Sequence, residues 1–320
     1  MNTLLHVETM RAVVLDRSGA PEVRRVPRPQ PRAGELHVRI SAVGLCGSDV
    51  EKLGDVRASG AVLGHEIAGV VLAGPLPPGT RVAVAHRVPC GECERCLAGN
   101  ETTCLQYLAS GLRPGGFAEE LVASARHVDA TVLALPDAID DVEATMIEPL
   151  ACILRALEAV PRGRGVVVGC GAIGLLAARA LRARGDGVLV ADPDPQRLLA
   201  ALEETDGLAT EGVDLDFAFV TAPAGIDAAL ALLRPGGTCL VFAAPDAPSS
   251  IPLDTIYRRE LVLIGRRSAT PAALRSARAA IAEGRVPVSD LVTAVLPLEQ
   301  FDDGVQRYRS RAALKVVFRP

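Results

Sequence analysis

The sequence predicts two domains of different class: a mostly β domain first, then a doubly wound parallel α/β domain, with a short β tail that returns to the first. Three observations predict this. Residues 10–150 carry short β-rich runs divided by Pro/Gly turns such as Pro75-Leu76-Pro77-Pro78-Gly79. From residue 151 strand and helix patterns alternate. The run Val166-Val167-Val168 leads into Gly169-Cys170-Gly171-Ala172-Ile173-Gly174 and then an Ala/Leu-rich helix.

A chain of 320 residues, 49% of them hydrophobic, is long enough for two cores. The boundaries expected are 1–151 with 288–320 for the β domain and 152–287 for the α/β domain. Net charge is −4 with no long run of one sign. Neither nucleic acid nor an anionic membrane surface is an expected partner. Residues 1–9 read as a loose extension without the pattern of a secretory signal, and Val166–Ala178 is too short and glycine-rich to span a membrane. A cytoplasmic protein is the expectation.

In the first domain the predicted strands are Arg11–Leu15, Glu35–Val43, Ile67–Leu72, Arg81–Val84 and Phe117–Ala123. Asp140-Asp141-Val142-Glu143 is an acidic first turn that opens a helix. Ala151–Ala159 reads as the next helix. Strands then fall at Gly165–Val168, Val188–Ala191, Asp216–Thr221, Thr238–Ala243 and Leu261–Ile264. Helices fall at Gly171–Ala183, Pro195–Glu204, Ile226–Leu233 and Pro271–Glu283. The tail Leu291–Pro320 is β-like around a short helix near Leu298–Arg309.

One crossover does not fit the regular pattern. A third strand near Gly207–Thr210 leaves about five residues before Asp216, and five extended residues span ~17 Å. Three strand spacings alone take up roughly 15 Å. The crossover helix near 208–216 is therefore expected to be missing and the third strand to be short or absent.

The strand–glycine–helix unit is a dinucleotide site. Gly169 permits the tight turn, Gly171 lets backbone approach a pyrophosphate, and Gly174 lets helix and strand pack closely. Ala172 and Ile173 open the helix whose N–H groups face the anion. Asp192 ends the next strand, where a carboxylate accepts from the ribose 2′-hydroxyl and repels a 2′-phosphate, so NAD is expected over NADP. Arg197, five residues on, is placed to stack on adenine or to tolerate a phosphate. Thr221, at the end of the fourth strand, is a further expected cofactor contact.

Two groups have metal-ligand character. Gly44-Leu45-Cys46-Gly47-Ser48-Asp49 and Gly64-His65-Glu66 bring together thiolate, imidazole and carboxylate, the ligand types of zinc. Cys46 and His65 are the first pair and Glu66 a third candidate. Ser48 would sit beside the open position, and Asp49 would hold the far nitrogen of His65. A buried cysteine and a loop histidine without metal is the alternative. Cys90, Cys93, Cys96 and Cys104 have the spacing C-x2-C-x2-C-x7-C, which suits a closed tetrahedral zinc ordering a lobe at 88–106.

These motifs, in this order and with Glu148-Pro149-Leu150 between them, resemble the zinc-dependent medium-chain dehydrogenase/reductase superfamily. The closest branch is that of sorbitol, polyol and threonine dehydrogenases. The resemblance covers residues 10–320. It implies a GroES-like catalytic domain, a Rossmann domain, and an active site in the cleft between them. It implies one catalytic and one structural zinc per chain. Cys46 and His65 hold the catalytic ion, and Glu66 and Glu148 compete for the remaining protein place. It also implies hydride transfer between NAD(H) and a secondary alcohol or polyol, or the corresponding ketone, with Ser48 accepting the hydroxyl proton. Many relatives carry an outer-relay histidine five residues after the cysteine; Glu51 stands there in this chain. A homodimer or homotetramer is expected from the family alone. Cys152, Cys170 and Cys239 are read as packing residues. The competing readings are a zinc-free quinone or enone reductase of the same superfamily and a non-catalytic relative.

Overall fold

The computed structural model describes residues 8–244 and 251–320; most of the expected N-terminal extension, residues 1–7, lies outside that range. Seven strands precede residue 149: β1 Thr9–Leu15, β2 Pro21–Pro27, β3 Leu36–Gly44, β4 Glu66–Ala73, β5 Arg81–Ala85, β6 Glu120–Ala123 and β7 Val132–Ala134. Six follow in the α/β part: β8 Arg164–Val168, β9 Gly187–Ala191, β10 Gly207–Leu208, β11 Leu215–Val220, β12 Leu233–Val241 and β13 Val262–Gly265. The tail adds β14 Val292–Pro297 and β15 Lys315–Arg319.

The chain divides into two compact units, one of residues 1–148, 270–282 and 288–320, the other of residues 149–269 and 283–287. The division falls inside the helix Ile147–Leu157. The helix Pro271–Ala282, which the sequence pattern assigned to the α/β series, groups with the first unit.

The first unit is built on a seven-stranded sheet of order β14-β15-β3-β4-β5-β7, with β6 also paired to β3, and a separate β1–β2 hairpin. Strand β3 shows why it is central. Leu36, Val38, Ile40 and Ala42 alternate inward and are buried, and Val43 continues that core. Phe117, Phe301 and Phe318 pack together beneath the sheet, with ring centroids 4.9–5.7 Å apart. The tail strand β15 pairs antiparallel to β3 through Val317 and Gly44. The return of the chain to the first unit is therefore a sheet contact rather than a loose docking.

The second unit is a six-stranded parallel sheet of order β10-β9-β8-β11-β12-β13. Its strands are apolar runs because both faces are covered; Val166, Val167, Phe217, Phe219, Cys239 and Leu240 are fully buried. The anomaly in the spacing has the expected form. Strand β10 is two residues long, and no helix lies between Leu208 and Leu215. The chain crosses through a turn at Glu211-Gly212 because it has no residues to spare for a helix.

Candidate metal and cofactor sites

Cys46 follows the end of β3, and Glu66 opens β4. Register does the rest. Gly44 pairs with Glu66, and Glu66 pairs with Ala85 on β5. Cys46 and His65, just beyond these paired residues, come to one end of the sheet. A ligand atom from each of Cys46, His65 and Glu66 lies within 4.8 Å of the others. The donor set of sulfur, imidazole and carboxylate suits zinc. Glu148, the rival for the third place, is outside that group.

Asp49 organises the first two. It is 1% exposed. Its Oδ2 accepts the backbone N–H of Cys46 at 3.2 Å, and its Oδ1 accepts that of Gly64 at 3.3 Å. The same Oδ1 lies 3.3 Å from Nδ1 of His65, which leaves Nε2 as the ring nitrogen available to an ion. Burial works against ionisation of Asp49. The His65 charge and hydrogen bond and the two N–H donors outweigh it, so its pKa falls below 3.8. Burial likewise opposes the His65 imidazolium, but Asp49 and then Cys46 raise the pKa well above 6.5. Ser48 donates to Cys46 Sγ at 3.4 Å. Glu51 is exposed at the end of the short helix Gly47–Val50.

Three further residues reach this site that motif spacing did not single out. Lys315, 4% exposed, forms an ion pair with Glu66 Oε2. Gly44 makes the pair possible, since a Cβ there would stand 2.1 Å from Glu66 Oε2 and 3.1 Å from Lys315 Cε. A lysine inside the apolar run Lys315–Phe318 was the available signal. Tyr308 places its hydroxyl 2.6 Å from where a Cβ of Gly47 would be. The His86 ring lies tilted against that of His65, with centroids 4.8 Å apart and an interplanar angle of 48°. Burial first, then the neighbouring His65, push its pKa well below 6.5.

The cysteine quartet has the dimensions of a metal cage. Sulfur separations are 3.8 Å for Cys90–Cys96, 3.6 Å for Cys93–Cys96 and 3.6 Å for Cys104–Cys90. A tetrahedron with Zn–S of about 2.3 Å has edges of about 3.8 Å, and a disulfide would need about 2.05 Å. All four thiols are free. Around them Leu97 and Leu105 are 77% and 69% exposed, so little apolar packing holds the lobe. Burial, against the pull of a backbone N–H, pushes Cys96 up to about 12. At Cys104 hydrogen bonds from Cys90 and Tyr107 backbone outweigh burial and bring the thiol down to about 6.

In the second unit the three fingerprint glycines differ in what surrounds them. Gly169 has φ +96°, and a Cβ there would meet Thr221 Oγ1 at 2.5 Å. A Cβ on Gly174 would lie 1.8 Å from the Gly169 carbonyl, which is the close helix–strand approach. Gly171 faces open space except for the Arg197 guanidinium, 3.6 Å from its virtual Cβ. The helix Ala172–Arg184 begins there. Asp192 accepts from Cys170 N at 2.6 Å and Asp194 N at 2.8 Å, which fixes its carboxylate at the end of β9. Thr221 donates to the Gly169 carbonyl at 2.9 Å and to Val168 at 3.1 Å. It braces the fingerprint turn beside which a cofactor contact is expected of it. Cys170 and Cys239 are buried, and Cys152 is only half-buried.

Comparison with known proteins agrees with this geometry. Residues 32–137 match the alcohol dehydrogenase GroES-like domain. The chain is 33% identical to D-altritol 5-dehydrogenase of Agrobacterium fabrum, over 81% of this chain and 84% of that one. It is 29% identical to sorbitol dehydrogenase of Bacillus subtilis, over 94% of each. The structure of galactitol-1-phosphate dehydrogenase from Escherichia coli superposes with a TM-score of 0.85 at 25% identity, covering 97% of this chain and all of that one. The chain belongs to the zinc-type medium-chain dehydrogenase/reductase family. It is an NAD(P)-dependent oxidoreductase of the alcohol and polyol dehydrogenase class, and the zinc-free reductase reading is not favoured. No helix among the described residues is long and apolar enough to cross a membrane.

Proposed function

We propose that this protein oxidises a secondary hydroxyl of a polyol, or reduces the corresponding ketone, with NAD(H) preferred over NADP(H). The observation that carries the reading is the convergence of Cys46, His65 and Glu66 within 4.8 Å. Those three side chains would hold the catalytic zinc. Once bound, the ion supplies Lewis acidity that makes a hydroxyl more acidic near neutral pH. Ser48, beside Cys46, takes the hydroxyl proton. Glu51, exposed at the end of the same short helix, passes it to solvent.

Asp49 holds Cys46 and His65 in place so that neither must reorganise during turnover. The quartet Cys90, Cys93, Cys96 and Cys104 would hold a second, structural zinc. The turn Gly169–Gly174 and the helix behind it bind the pyrophosphate through backbone N–H groups. Asp192 favours NAD through the ribose hydroxyl. Arg197, beside Gly171, is placed to stack on adenine or to tolerate a phosphate. The two domains proposed are 1–151 with 288–320 and 152–287. Membership of the family supports a cytoplasmic homodimer or homotetramer.

The test is NADH formation on a panel of polyols, diols, cyclitols and amino alcohols, run with NAD and NADP, together with metal analysis. Turnover on a secondary alcohol with two zinc ions per chain is expected. One zinc or fewer per folded chain, or no turnover on any alcohol, would sink the proposal.

A further inference from the structure

We infer that Tyr308 is a proton-relay residue, whose hydroxyl carries the proton that Ser48 takes from the substrate across to the Glu51 carboxylate. This rests on the dehydrogenase function proposed above and adds to that site a residue from the far end of the chain.

Strand pairing brings the tail there. β15 pairs with β3, whose end leads into Cys46. The helix Phe301–Arg309, which precedes β15, belongs to the same unit. From this helix Tyr308 reaches Gly47. Its hydroxyl oxygen stands 2.6 Å from the place a Cβ of Gly47 would take, and its Cζ 3.7 Å. Gly47 is not among the glycines of positive φ, so its missing side chain provides space rather than backbone freedom. A phenol oxygen fills that space.

That oxygen lies between the two ends of the relay. Gly47 precedes Ser48 and opens the short helix Gly47–Val50. Glu51 N donates to the Gly47 carbonyl at 2.9 Å, which sets Glu51 one turn from Gly47. Positions i and i+4 share one helix face, with Cβ atoms about 5–6 Å apart. A group beside the Cβ position of residue 47 is therefore within side-chain reach of the Glu51 carboxylate. Glu51 is exposed, so its carboxylate is open to water.

The Tyr308 hydroxyl is unspent. It makes no hydrogen bond among the described residues, while its ring packs against the core of the first unit. A phenylalanine would fill that packing place; the oxygen adds a donor and an acceptor. Burial first, then the Cys46 charge, raises its pKa above 10, with Glu51 and Glu66 adding to the rise and Lys315 opposing it. The group is thus a neutral hydroxyl near neutral pH and gives up one proton only as it receives another. The proton count closes. The substrate hydroxyl proton passes to Ser48 Oγ. The proton Ser48 now directs at Cys46 Sγ passes to Tyr308 Oη. The proton of Tyr308 passes to Glu51, directly or across one water, and from there to solvent. Both hydroxyls end as they began, and the substrate oxygen keeps the electron pair of its broken O–H bond.

The test follows NADH formed in a single turnover on xylitol and on butane-2,3-diol, which separates chemistry from product release. It compares wild type, Tyr308→Phe, Glu51→Gln and the double variant. Each single variant should slow the step by about tenfold or more, with KM, zinc content and Tm unchanged. Added imidazole, a small proton carrier, should restore much of the rate of Tyr308→Phe and leave wild type unchanged. The double variant should lose no more than the worse single one, because the two residues serve one path. An unchanged rate in Tyr308→Phe, a loss that imidazole does not restore, losses that multiply in the double variant, or a fall in zinc content or Tm would each overturn the relay while leaving the dehydrogenase function standing. A wild type that oxidises neither substrate overturns that function and this inference with it.

Discussion

Oδ1 of the buried Asp49 lies 3.3 Å from Nδ1 of His65 while its other oxygen holds the backbone N–H of Cys46. One carboxylate thus orients two candidate ligands that are nineteen residues apart in the chain. Partners of this kind typically account for 10–100-fold in metal affinity. Asp49→Asn should therefore weaken zinc binding by about that factor while the sheet around it stays folded. Competition with a chromophoric chelator reads it. Unchanged affinity would show that Asp49 only caps the turn.

The same pair sets a pH dependence. Asp49 has a lowered pKa, so its stabilisation is present above 3.8 and lost as pH falls through the lower folded value. His65 has a raised pKa, so its contribution is complete below 6.5 and lost as pH rises through the higher folded value. Zinc needs the neutral imidazole. Zinc affinity should therefore rise with pH through neutrality, where the metal-free pair is losing its contribution. Zinc Kd and the Tm of metal-free protein, followed from about pH 6 to about pH 8, check both slopes. A flat zinc affinity over that range would remove His65 from the ligand set.

Lys315 and Glu66 are 5% and 1% exposed at their side chains, so neither charge has water to fall back on. Lys315→Met should destabilise metal-free protein by about 3–5 kcal/mol, because it strands a buried carboxylate. Zinc, supplying a cation to the same carboxylate, should restore part of the loss. Urea unfolding with and without zinc measures it. A cost below about 1 kcal/mol would place the ion pair among the inconsequential surface kind.

Asp192 accepts two backbone N–H groups and still ends β9 beside the fingerprint turn. Asp192→Ala should weaken NAD by about tenfold or more, the usual weight of a charge-assisted hydrogen bond. It should also improve the NADP to NAD ratio. Because Cys170 N loses its acceptor as well, some NADP affinity should fall with it. Fluorescence titration with both cofactors separates the effects. An unchanged preference would move the discriminating role to Arg197.

Much of this molecule was legible in one dimension. Short-range chemistry is written in consecutive residues. The C-x2-C-x2-C-x7-C spacing, the strand–glycine–helix unit and the Cys46 and His65 motifs each bring their groups together through one or two turns. Even the absent crossover helix before Leu215 followed from chain length alone. The short strands β2 and β7 were not read, because they lack alternating apolar residues. Pro21–Pro27 has no buried residue, so no periodicity marks it.

What the tertiary structure alone decided depends on register between distant strands. The pairing of Gly44 with Glu66, and of Gly44 with Val317, brings Lys315 to a carboxylate 249 residues away. It brings Glu66 within 4.8 Å of Cys46 and His65 and sets His86 opposite His65. Such juxtapositions depend on which residue lies across the sheet, and a slip of one position would send every side chain to the other face. Local sequence carries the chemical types of these residues, and hydrogen-bonded pairing carries their neighbours.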